Sequence, residues 1–526
     1  MPESNRRDFL RMSALAATAA GESAAQPAPR RPNVLVIMSD QHRAGLTKRS
    51  GYPLDTMPEL DRLAARGIAF ERAYCTAPLC VPSRISMLTG RWPHAHRVRE
   101  NWAAKDVFFE KDIFDVARSL GYKTALSGKN HSHLTPAKMD FFRPFGHFGG
   151  WRPENAPREM VEYDKWLAHL NLGTSDGPTP FPVEVQLPHR IVDHAMEFMS
   201  GCQDPFLLWV SFPEPHEPYQ VPKPYYDMFP PAEVPARAAG PEVLKSKGFR
   251  WEWLNRLEDN TYPGCDEQWR RVKSNYLGML RLIDDQVARM FRFMRERGIL
   301  DNTIIVYVAD HGDYLGDYGL IRKGVDLPEA LVRIPMIWAG PGIQQRQNPA
   351  EFVSMADVFP TVCEALGAST PRGVQGRSLW QMLQGREYPK EEFRSIYSEV
   401  GIGGLFYGPS DKLDFDKARI KGVAPGAILS FDELNYVTQS GYMKMARMGD
   451  WKLSFDMMGR GQLYHLAEDP YELRNRYGDA SVAREQIRLM EELLTWTVRT
   501  QDNIPTARYE VKWADHNWYW PHRKDI

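Results

Sequence analysis

The chain has 526 residues, of which 43% are apolar and 25% charged, and its 66 Lys+Arg against 67 Asp+Glu give a net charge of −1. This length suits about three domains, or one large α/β domain with an appendage. The near-neutral balance, with no long basic block beyond the first residues, argues against a dedicated nucleic-acid-binding protein. The absence of 18 consecutive apolar residues excludes a membrane-spanning helix. The five cysteines are too few for a disulfide scaffold and lack the paired Cys-x-x-Cys spacing of a zinc site.

The first 32 residues predict an export signal and a linker. Residues 5–11 read Asn-Arg-Arg-Asp-Phe-Leu-Arg, and a weakly apolar, Ala-rich run follows up to residue 25. This pattern resembles a bacterial twin-arginine signal. We therefore expect a signal peptide at 1–25, a Pro-rich linker at 26–32, and a mature protein that is periplasmic or secreted. An exposed amphipathic helix at the N-terminus is the alternative.

Apolar runs along the mature chain predict strands that are buried on both faces. They lie at 33–38, 124–127, 206–210, 303–308 and 336–339. Amphipathic helices are predicted between them. The clearest has Ile283, Val287, Met290 and Met294 on one face and ends at Gly298. Strands that alternate with helices predict an α/β fold in which helices sandwich a mostly parallel sheet.

The alternation of strands and helices is interrupted in two regions and replaced by short apolar segments in the C-terminal part. Residues 220–275 and 400–440 lack periodicity and are rich in Pro, Gly and aromatics, which predicts long loops. Short apolar segments at 444–448, 451–453 and 463–466 predict an antiparallel sheet, followed by a helix at 483–500. We expect a main domain at 33–395 and a C-terminal subdomain at 396–526, with a loop insertion and an aromatic tail at 513–522.

Polar residues follow several of the predicted strands. Asp40, Lys129, His216 and the pair Asp310-His311 each lie just past the carboxyl end of an apolar run. Open α/β sheets bind their ligands at this edge. The sequence therefore predicts that these side chains converge.

The segment from Cys80 to Arg91 reads Cys-Val-Pro-Ser-Arg-Ile-Ser-Met-Leu-Thr-Gly-Arg. It resembles the signature of the type I, formylglycine-dependent sulfatases of the alkaline phosphatase superfamily, and other family blocks recur in family order across nearly the whole mature chain. The resemblance implies an alkaline-phosphatase-like fold, with 33–395 as the catalytic domain. It also implies that a formylglycine-generating enzyme oxidises Cys80 to formylglycine (3-oxoalanine), whose hydrate is the nucleophile. A helix predicted to begin near Pro82 would place Cys80 at a helix N-terminus, which suits an anion such as sulfate; alone, Cys80 would read as a small buried hydrophobe.

The same resemblance implies a site for one divalent cation. Asp40-Gln41 stands where the family usually has Asp-Asp, and Asp310-His311 matches its Asp followed by Asn or His. These four residues and an oxygen of converted Cys80 are the implied ligands. Oxygen-rich ligation suits Ca²⁺, while the Gln and the His leave Mg²⁺ or Mn²⁺ open. We expect two nearby acids to support the loop rather than bind the ion, namely Asp313 and Asp317.

Roles for five further residues follow from the resemblance. The block at 121–131 is similar to the family's Gly-Tyr-x-Thr…Gly-Lys-x-His, and residues 215–219 to its Pro-His-x-Pro-Tyr. The implied roles are sulfate binding for Lys129 and Lys323, the base for His131, sulfate ligation or protonation of the leaving oxygen for His216, and holding of the hydrate for Arg84. The implied reaction is attack at sulfur with loss of the alcohol, followed by elimination of sulfate.

The predicted substrate is a sulfated carbohydrate. The long loops carry Arg250, Trp251, Trp253, Arg256 and Tyr407, which would suit an open cleft for a sulfated sugar. The alternative is that these side chains only pack the loops. A small alkyl or choline-type sulfate is also open.

Other functions are kept as alternatives. Phosphonate monoester and phosphodiester hydrolases of the same fold share the Cys-derived nucleophile and the Asp-Gln…Asp-His pattern, whereas Ser83, Lys129 and His131 follow the sulfatase pattern. A distant alternative is an inactive glycan-binding homologue. The sequence leaves open the oligomeric state and the pairing of four cysteines, Cys75, Cys202, Cys265 and Cys363.

Overall fold

The computed structural model describes residues 31–501 except 102–103, 172, 325, 347–348, 405, 407 and 410–440. Several predictions lie outside the described residues: the signal peptide, most of the linker, most of the loop at 400–440, Tyr407 and the aromatic tail at 513–522. Within the described ranges, no helix is long and apolar enough to cross a membrane.

The described residues contain strands that form three sheets. In chain order they are β1 (Asn33–Ser39), β2 (Ile68–Ala69), β3 (Ala73–Tyr74), β4 (Lys123–Lys129), β5 (Phe141–Gly146), β6 (Gly149–Gly150), β7 (Phe206–Phe212), β8 (Thr303–Ala309), β9 (Met336–Ala339), β10 (Val353–Ser354), β11 (Ser395–Val400), β12 (Met443–Met448), β13 (Trp451–Asp456) and β14 (Gly461–His465). The central sheet has the order β2-β9-β8-β1-β7-β4-β5-β6. Its middle pairings, from β8 through β1, β7 and β4 to β5, are parallel, and its edges are antiparallel. The predicted mostly parallel sheet is confirmed.

Helices cover both faces of the central sheet. They are α1 (Pro58–Ala65), α2 (Cys80–Thr89), α3 (Pro93–His96), α4 (Ile113–Ser119), α5 (Arg158–Leu170), α6 (Leu187–Gly201), α7 (Tyr225–Met228), α8 (Leu244–Lys247), α9 (Phe249–Thr261), α10 (Trp269–Glu296), α11 (Glu329–Val332), α12 (Val358–Ala365), α13 (Trp380–Leu383) and α14 (Ala483–Thr500). The predicted amphipathic helix forms the second half of α10, which buries Ile283, Val287 and Met290.

The continuous apolar run of β1 has a direct structural cause. Val34 and Val36 belong to the core on one face of the sheet, and Leu35 and Ile37 to the core on the other face. Because successive side chains of a strand point to opposite faces, a strand covered on both sides needs apolar residues at every position. The same reason explains the runs in β7 and β8.

The prediction of a loop throughout 220–275 is wrong. This region contains α7, α8, α9 and the start of α10. In α9, Trp251, Leu254 and Leu257 recur at the three-residue spacing of one helical face and are buried. The Pro and Gly residues that suggested a loop lie between these helices rather than within α9.

A smaller antiparallel sheet, β11-β12-β13-β14, and helix α14 confirm the predicted C-terminal elements. The sequence prediction did not include β11. Trp92 from the main domain packs against Trp496 of α14, with ring centroids 5.5 Å apart, and Tyr397 of β11 stacks on the same indole. The C-terminal sheet and α14 therefore pack directly on the main domain.

Candidate active site

The predicted polar residues converge at one edge of the central sheet. Asp40 follows β1, Lys129 ends β4, His216 follows β7 and Asp310 follows β8. These four strands are adjacent and parallel, so their carboxyl ends meet. Helix α2 adds Cys80 as its first residue, two positions earlier than the predicted start.

Arg84 lies at the centre of the cluster and joins two buried carboxylates. Its Nη2 donates to Asp40 Oδ2 at 2.9 Å, and its Nε donates to Asp310 Oδ2 at 2.8 Å. Its Nη1 donates to the Lys129 carbonyl and to Ser211 Oγ. Burial alone would raise the pKa of Asp40, but the charges of Lys129 and Arg84 hold that pKa well below its usual range. The Asp40 carboxylate is thus kept available as an anionic ligand.

Four side chains form a cluster that could hold a metal ion. The candidate ligand atoms of Asp40, Cys80, Asp310 and His311 all lie within 4.8 Å of one another. His311 Nε2 lies 3.2 Å from Cys80 Sγ, and its Nδ1 lies 3.0 Å from the Gly312 carbonyl. The Nδ1–H donates to that carbonyl, so the lone pair of Nε2 faces the cluster.

The side chain of Gln41 directs its oxygen towards Lys323 and its nitrogen towards two acids. Its Nε2 donates to Glu217 at 2.8 Å and to Asp313 at 2.7 Å, and two carboxylates fix this amide orientation because they accept hydrogen bonds. Its Oε1 therefore points the other way and accepts from Lys323 Nζ at 3.2 Å. Gln41 has a φ of 60°, a strained value for a non-glycine residue, and a hydrogen bond from Tyr276 to its carbonyl holds it there.

Two acids that follow β8 are engaged by other protein groups, and their predicted role in supporting the loop stays a prediction. Asp313 accepts from the Leu315 backbone at 2.7 Å and from Tyr219. Asp317 pairs with Arg43 at 2.7 Å.

The thiol of Cys80 is fully buried beside Asp40, whose Oδ1 lies 3.7 Å from Sγ. Burial, with a further contribution from the Asp40 charge, raises the pKa of Cys80 to about 12. An unmodified thiol of this kind stays protonated at neutral pH and is a weak nucleophile.

Two lysines lie beside the cluster. Lys129 donates to Asp40 and, at 2.7 Å, to His147 Nε2. Lys323 donates to His216 Nε2 at 3.2 Å. Gly128 allows β4 to approach β7 here, because a Cβ at this position would lie 1.9 Å from the Ser211 carbonyl oxygen.

His147 is a candidate functional residue that the sequence analysis missed. It lies in the turn between β5 and β6, and its ring stacks on His216 with centroids 3.8 Å apart. Its Nδ1 is buried and has no hydrogen-bond partner in the described part of the chain. The sequence Phe-Gly-His-Phe-Gly around it carries no family motif, so only its place in the fold brings it to the site.

The histidines around the cluster are held neutral. Burial, together with the charge of Lys129, lowers the pKa of His131 and His147 well below the usual value, and burial and His147 do the same for His216. His131 has a φ of 41°, and among described residues its buried Nδ1 has no hydrogen-bond partner. A neutral imidazole with an unpaired nitrogen can accept a proton.

A second missed residue is Glu214, which lines a small cavity together with His147 and His216. Burial raises the pKa of Glu214 to about 8. Its position directly after β7, two residues before His216, was the available signal.

The prediction that loop aromatics line an open cleft is wrong for the described ones. Trp251 and Trp253 are 1% and 2% exposed. Trp251 Nε1 donates to Asp326 at 2.6 Å, and Arg250 pairs with Asp326 and Asp456. The alternative, that these side chains pack the structure, is confirmed for Arg250, Trp251 and Trp253. Arg256 is exposed. The five cysteines, all described, form no disulfide.

A mostly parallel sheet with this acidic, Cys- and His-containing cluster at its carboxyl edge defines an alkaline-phosphatase-like hydrolase fold. The family model described as Sulfatase matches residues 32–368. The chain therefore belongs to the sulfatase family, which makes it a sulfuric ester hydrolase by class.

Two similar proteins illustrate the relationship. A multifunctional alkaline phosphatase superfamily protein of Trinickia caryophylli is 27% identical over 524 residues, which cover 90% of this chain and 97% of the relative. An arylsulfatase of Clostridium perfringens is also 27% identical and covers 71% of this chain and 82% of its own length.

Solved structures share the fold at lower identity. A phosphonate monoester hydrolase of Agrobacterium radiobacter has a TM-score of 0.73 at 23% identity and covers 89% of this chain and 96% of its own. A protein in complex with its substrate D-glucosamine-2-N,6-O-disulfate has a TM-score of 0.67 at 19% identity and covers 91% of this chain and 100% of its own.

Proposed function

We propose that this protein is a formylglycine-dependent sulfatase, with the residue derived from Cys80 as nucleophile, that acts outside the cytoplasm on a sulfated carbohydrate. One observation carries the proposal: the ammonium groups of Lys129 and Lys323 lie near Cys80 at the edge where Asp40, Asp310 and His311 meet. A sulfate ester requires such positive groups because negative charge develops on the departing oxygen.

The residues present fit one divalent cation. Asp40, Gln41, Asp310 and His311 offer three oxygens and one nitrogen, and hydrogen bonds from Arg84 orient the two carboxylates. This donor set suits Ca²⁺, with Mg²⁺ or Mn²⁺ as alternatives. When bound, the ion supplies positive charge next to the sulfuryl oxygens.

Formylglycine at position 80 fits the same pocket. It supplies an oxygen nucleophile with a second hydroxyl, which allows sulfate to be expelled by elimination, and an oxygen is a better ligand for a hard cation than a thiol. The position at the start of α2 places it at the positive end of the helix dipole.

Lys129 and Lys323 would bind the sulfuryl oxygens. Lys129 donates one N–H to Asp40 and one to His147, which leaves its third N–H for the substrate. His147 is thus a positioning residue for Lys129, and Lys323 is held in the same way by Gln41 and His216.

The histidine roles follow from their hydrogen bonds. His131, with its unpaired Nδ1, is the base that removes the proton from the sulfated intermediate. His216 Nδ1 donates to the Glu217 carbonyl at 2.9 Å, so its Nε2 accepts from Lys323. In this tautomer neither ring nitrogen of His216 has a free N–H for a sulfuryl oxygen or for the leaving oxygen, so His216 acts by holding Lys323.

Support for the substrate class comes from two sources. A structural neighbour was solved with its substrate D-glucosamine-2-N,6-O-disulfate. The twin-arginine-like start of the chain would direct the enzyme to a compartment where sulfated glycans are encountered.

Phosphonate monoester hydrolysis is the second candidate, favoured by the TM-score of 0.73 to a phosphonate monoester hydrolase. The protein, co-produced with a formylglycine-generating enzyme, should be assayed against an aryl sulfate, glycosaminoglycan, algal and choline sulfates, and a phosphonate monoester. We expect the highest kcat/KM for a sulfated sugar. A higher kcat/KM for the phosphonate would contradict the sulfatase assignment, and equal, low rates on all sulfates would contradict the carbohydrate assignment.

A further inference from the structure

A second pocket lies beside the catalytic cluster and shares none of its residues. Its volume is about 320 Å³, within the range of roughly 300–1,000 Å³ that is typical of small-molecule sites. The segments around it are the loop after β1, the start of α10, the loop after β8 and residues 470–471.

Lys273 in α10 lines this pocket without a partner. Lys273 is 6% exposed. Its side chain makes no hydrogen bond or ion pair with any residue that the structure describes. A buried ammonium without a partner is costly, so such residues are rare in proteins. Burial lowers the pKa of Lys273 to about 8. The side chain is thus prepared for an anion that would restore its charge balance.

The other charges that line the pocket are paired among themselves. Arg43 pairs with Asp317 at 2.7 Å, and Arg333 lies 3.7 Å from Glu329. Glu329 also pairs with two cations from the C-terminal sheet, Arg447 at 2.7 Å and Lys452 at 3.2 Å. Both carboxylates are thus engaged by other cations, and the attraction of Asp317 offsets only part of the effect of burial on Lys273. The pocket has an excess of positive charge.

Two tyrosines complete the lining. The Tyr52 hydroxyl is buried and, among the described residues, has no hydrogen-bond partner. Tyr471 is 41% exposed and presents a ring that can pack against an organic group.

We propose that this pocket is a second anion site, which binds a small sulfate- or phosphate-type oxyanion through Lys273 and the Tyr52 hydroxyl. The anion is either inorganic or carried by a sugar whose ring packs on Tyr471. Several donors suit an oxyanion with several acceptor oxygens. The site is separate from the proposed catalytic one, so its occupancy does not depend on sulfatase chemistry.

Calorimetric titration with inorganic sulfate, inorganic phosphate and a glucosamine 6-sulfate tests the proposal. The titrations use the metal-loaded Lys129→Ala/Lys323→Ala double variant, in which the catalytic lysines no longer contribute. We expect one binding site in this background. In the same background, Lys273→Met should raise the Kd at least tenfold, and Lys273→Arg should raise it less. Lys245→Met, at an exposed lysine, should leave the Kd unchanged.

The three ligands distinguish the sources of the anion. Tighter binding of the sugar sulfate than of both inorganic ions, lost in Tyr471→Ala, identifies a sugar-borne group, whereas equal binding identifies the free anion. An unchanged Kd in Lys273→Met, or no saturable binding of any of the three, overturns the proposal. Thermal unfolding of each variant confirms that it is folded.

Discussion

The catalytic cluster and the Lys273 pocket both bury positive charge, but they balance it differently. In the cluster, Lys129 and Arg84 are paired with Asp40 and Asp310. In the pocket, the acids pair with other cations, and Lys273 has no hydrogen-bond or ion-pair partner among the described residues. A paired cluster is preorganised without its substrate, whereas an unpaired ammonium lowers stability until a ligand binds.

The largest expected effect comes from removal of the proposed nucleophile in the catalytic cluster. Cys80→Ala should lower kcat by on the order of 10⁴ or more, because no other group at the site can form the covalent intermediate. Release of inorganic sulfate from an aryl sulfate measures it. Cys202→Ala, at a half-buried cysteine outside the site, is the matched control and should retain full activity; substantial turnover by Cys80→Ala would remove the proposed nucleophile.

The next effect concerns the charge that faces the substrate. Lys129→Ala should lower kcat/KM by about 10²–10³, the usual cost of removing one preorganised donor to a developing oxyanion. Steady-state kinetics on the aryl sulfate measure the loss. The exposed Lys123→Ala, on the same strand, should be neutral, and a Lys129→Ala loss below tenfold would argue against sulfate binding by this residue.

The third effect concerns the unpaired charge of the pocket. The lowering of the Lys273 pKa from 10.5 to about 8 corresponds to a stability cost of up to roughly 3 kcal/mol at neutral pH. The cost is fully present below pH 8, and it declines as the pH rises towards 10.5, because there the unfolded state binds more protons than the folded one. Lys273→Met should therefore raise the free energy of unfolding most at pH 7 and least near pH 10.5, as followed by urea denaturation.

The charged groups around Lys273 are Arg43, Arg270 and Asp317, and Arg333 and Glu329 also line the pocket. Tyr52, Tyr318 and Tyr471 also line the pocket, and the ordinary pKa of a tyrosine, about 10, lies in this window. The difference between the wild type and Lys273→Met, rather than the wild-type profile alone, therefore isolates Lys273. A stability gain in Lys273→Met that is equal at both pH values would contradict a buried, titrating ammonium.

The smallest effect tests the positioning role of His147. His147→Ala should lower kcat/KM about tenfold, which is roughly 1.4 kcal/mol, because Lys129 loses the acceptor that orients it. In a double-mutant cycle, His147→Ala should cost almost nothing once Lys129 is already Ala. Additive losses would show that His147 acts independently of Lys129, and the exposed His169→Ala should leave the kinetics unchanged.

Several elements could be predicted from the sequence because their cause is local. The strands β1, β7 and β8 are mainly apolar runs. The polar residues that follow them, and Lys129 at the end of β4, must meet where these parallel strands end. The family motifs supplied Cys80, Lys129 and Lys323.

Other features depend on tertiary contacts that no local pattern encodes. His147 reaches the site because β5 pairs with β4, which brings the β5–β6 turn next to Lys129. Aromatic residues in an aperiodic region suggested a sugar cleft, but Trp251 and Trp253 are buried because α9 packs its apolar face inwards. The pairing of Arg84 with two carboxylates likewise requires β1, β8 and α2 to be assembled.

Peptide mass spectrometry of the segment that contains Cys80 tests the central claim most directly. The protein is co-produced with a formylglycine-generating enzyme, and the Cys202 peptide is the internal control. The account predicts that the Cys80 peptide loses one sulfur and two hydrogens and gains one oxygen, while the Cys202 peptide keeps its thiol. An intact thiol at Cys80 in an otherwise active preparation would contradict it.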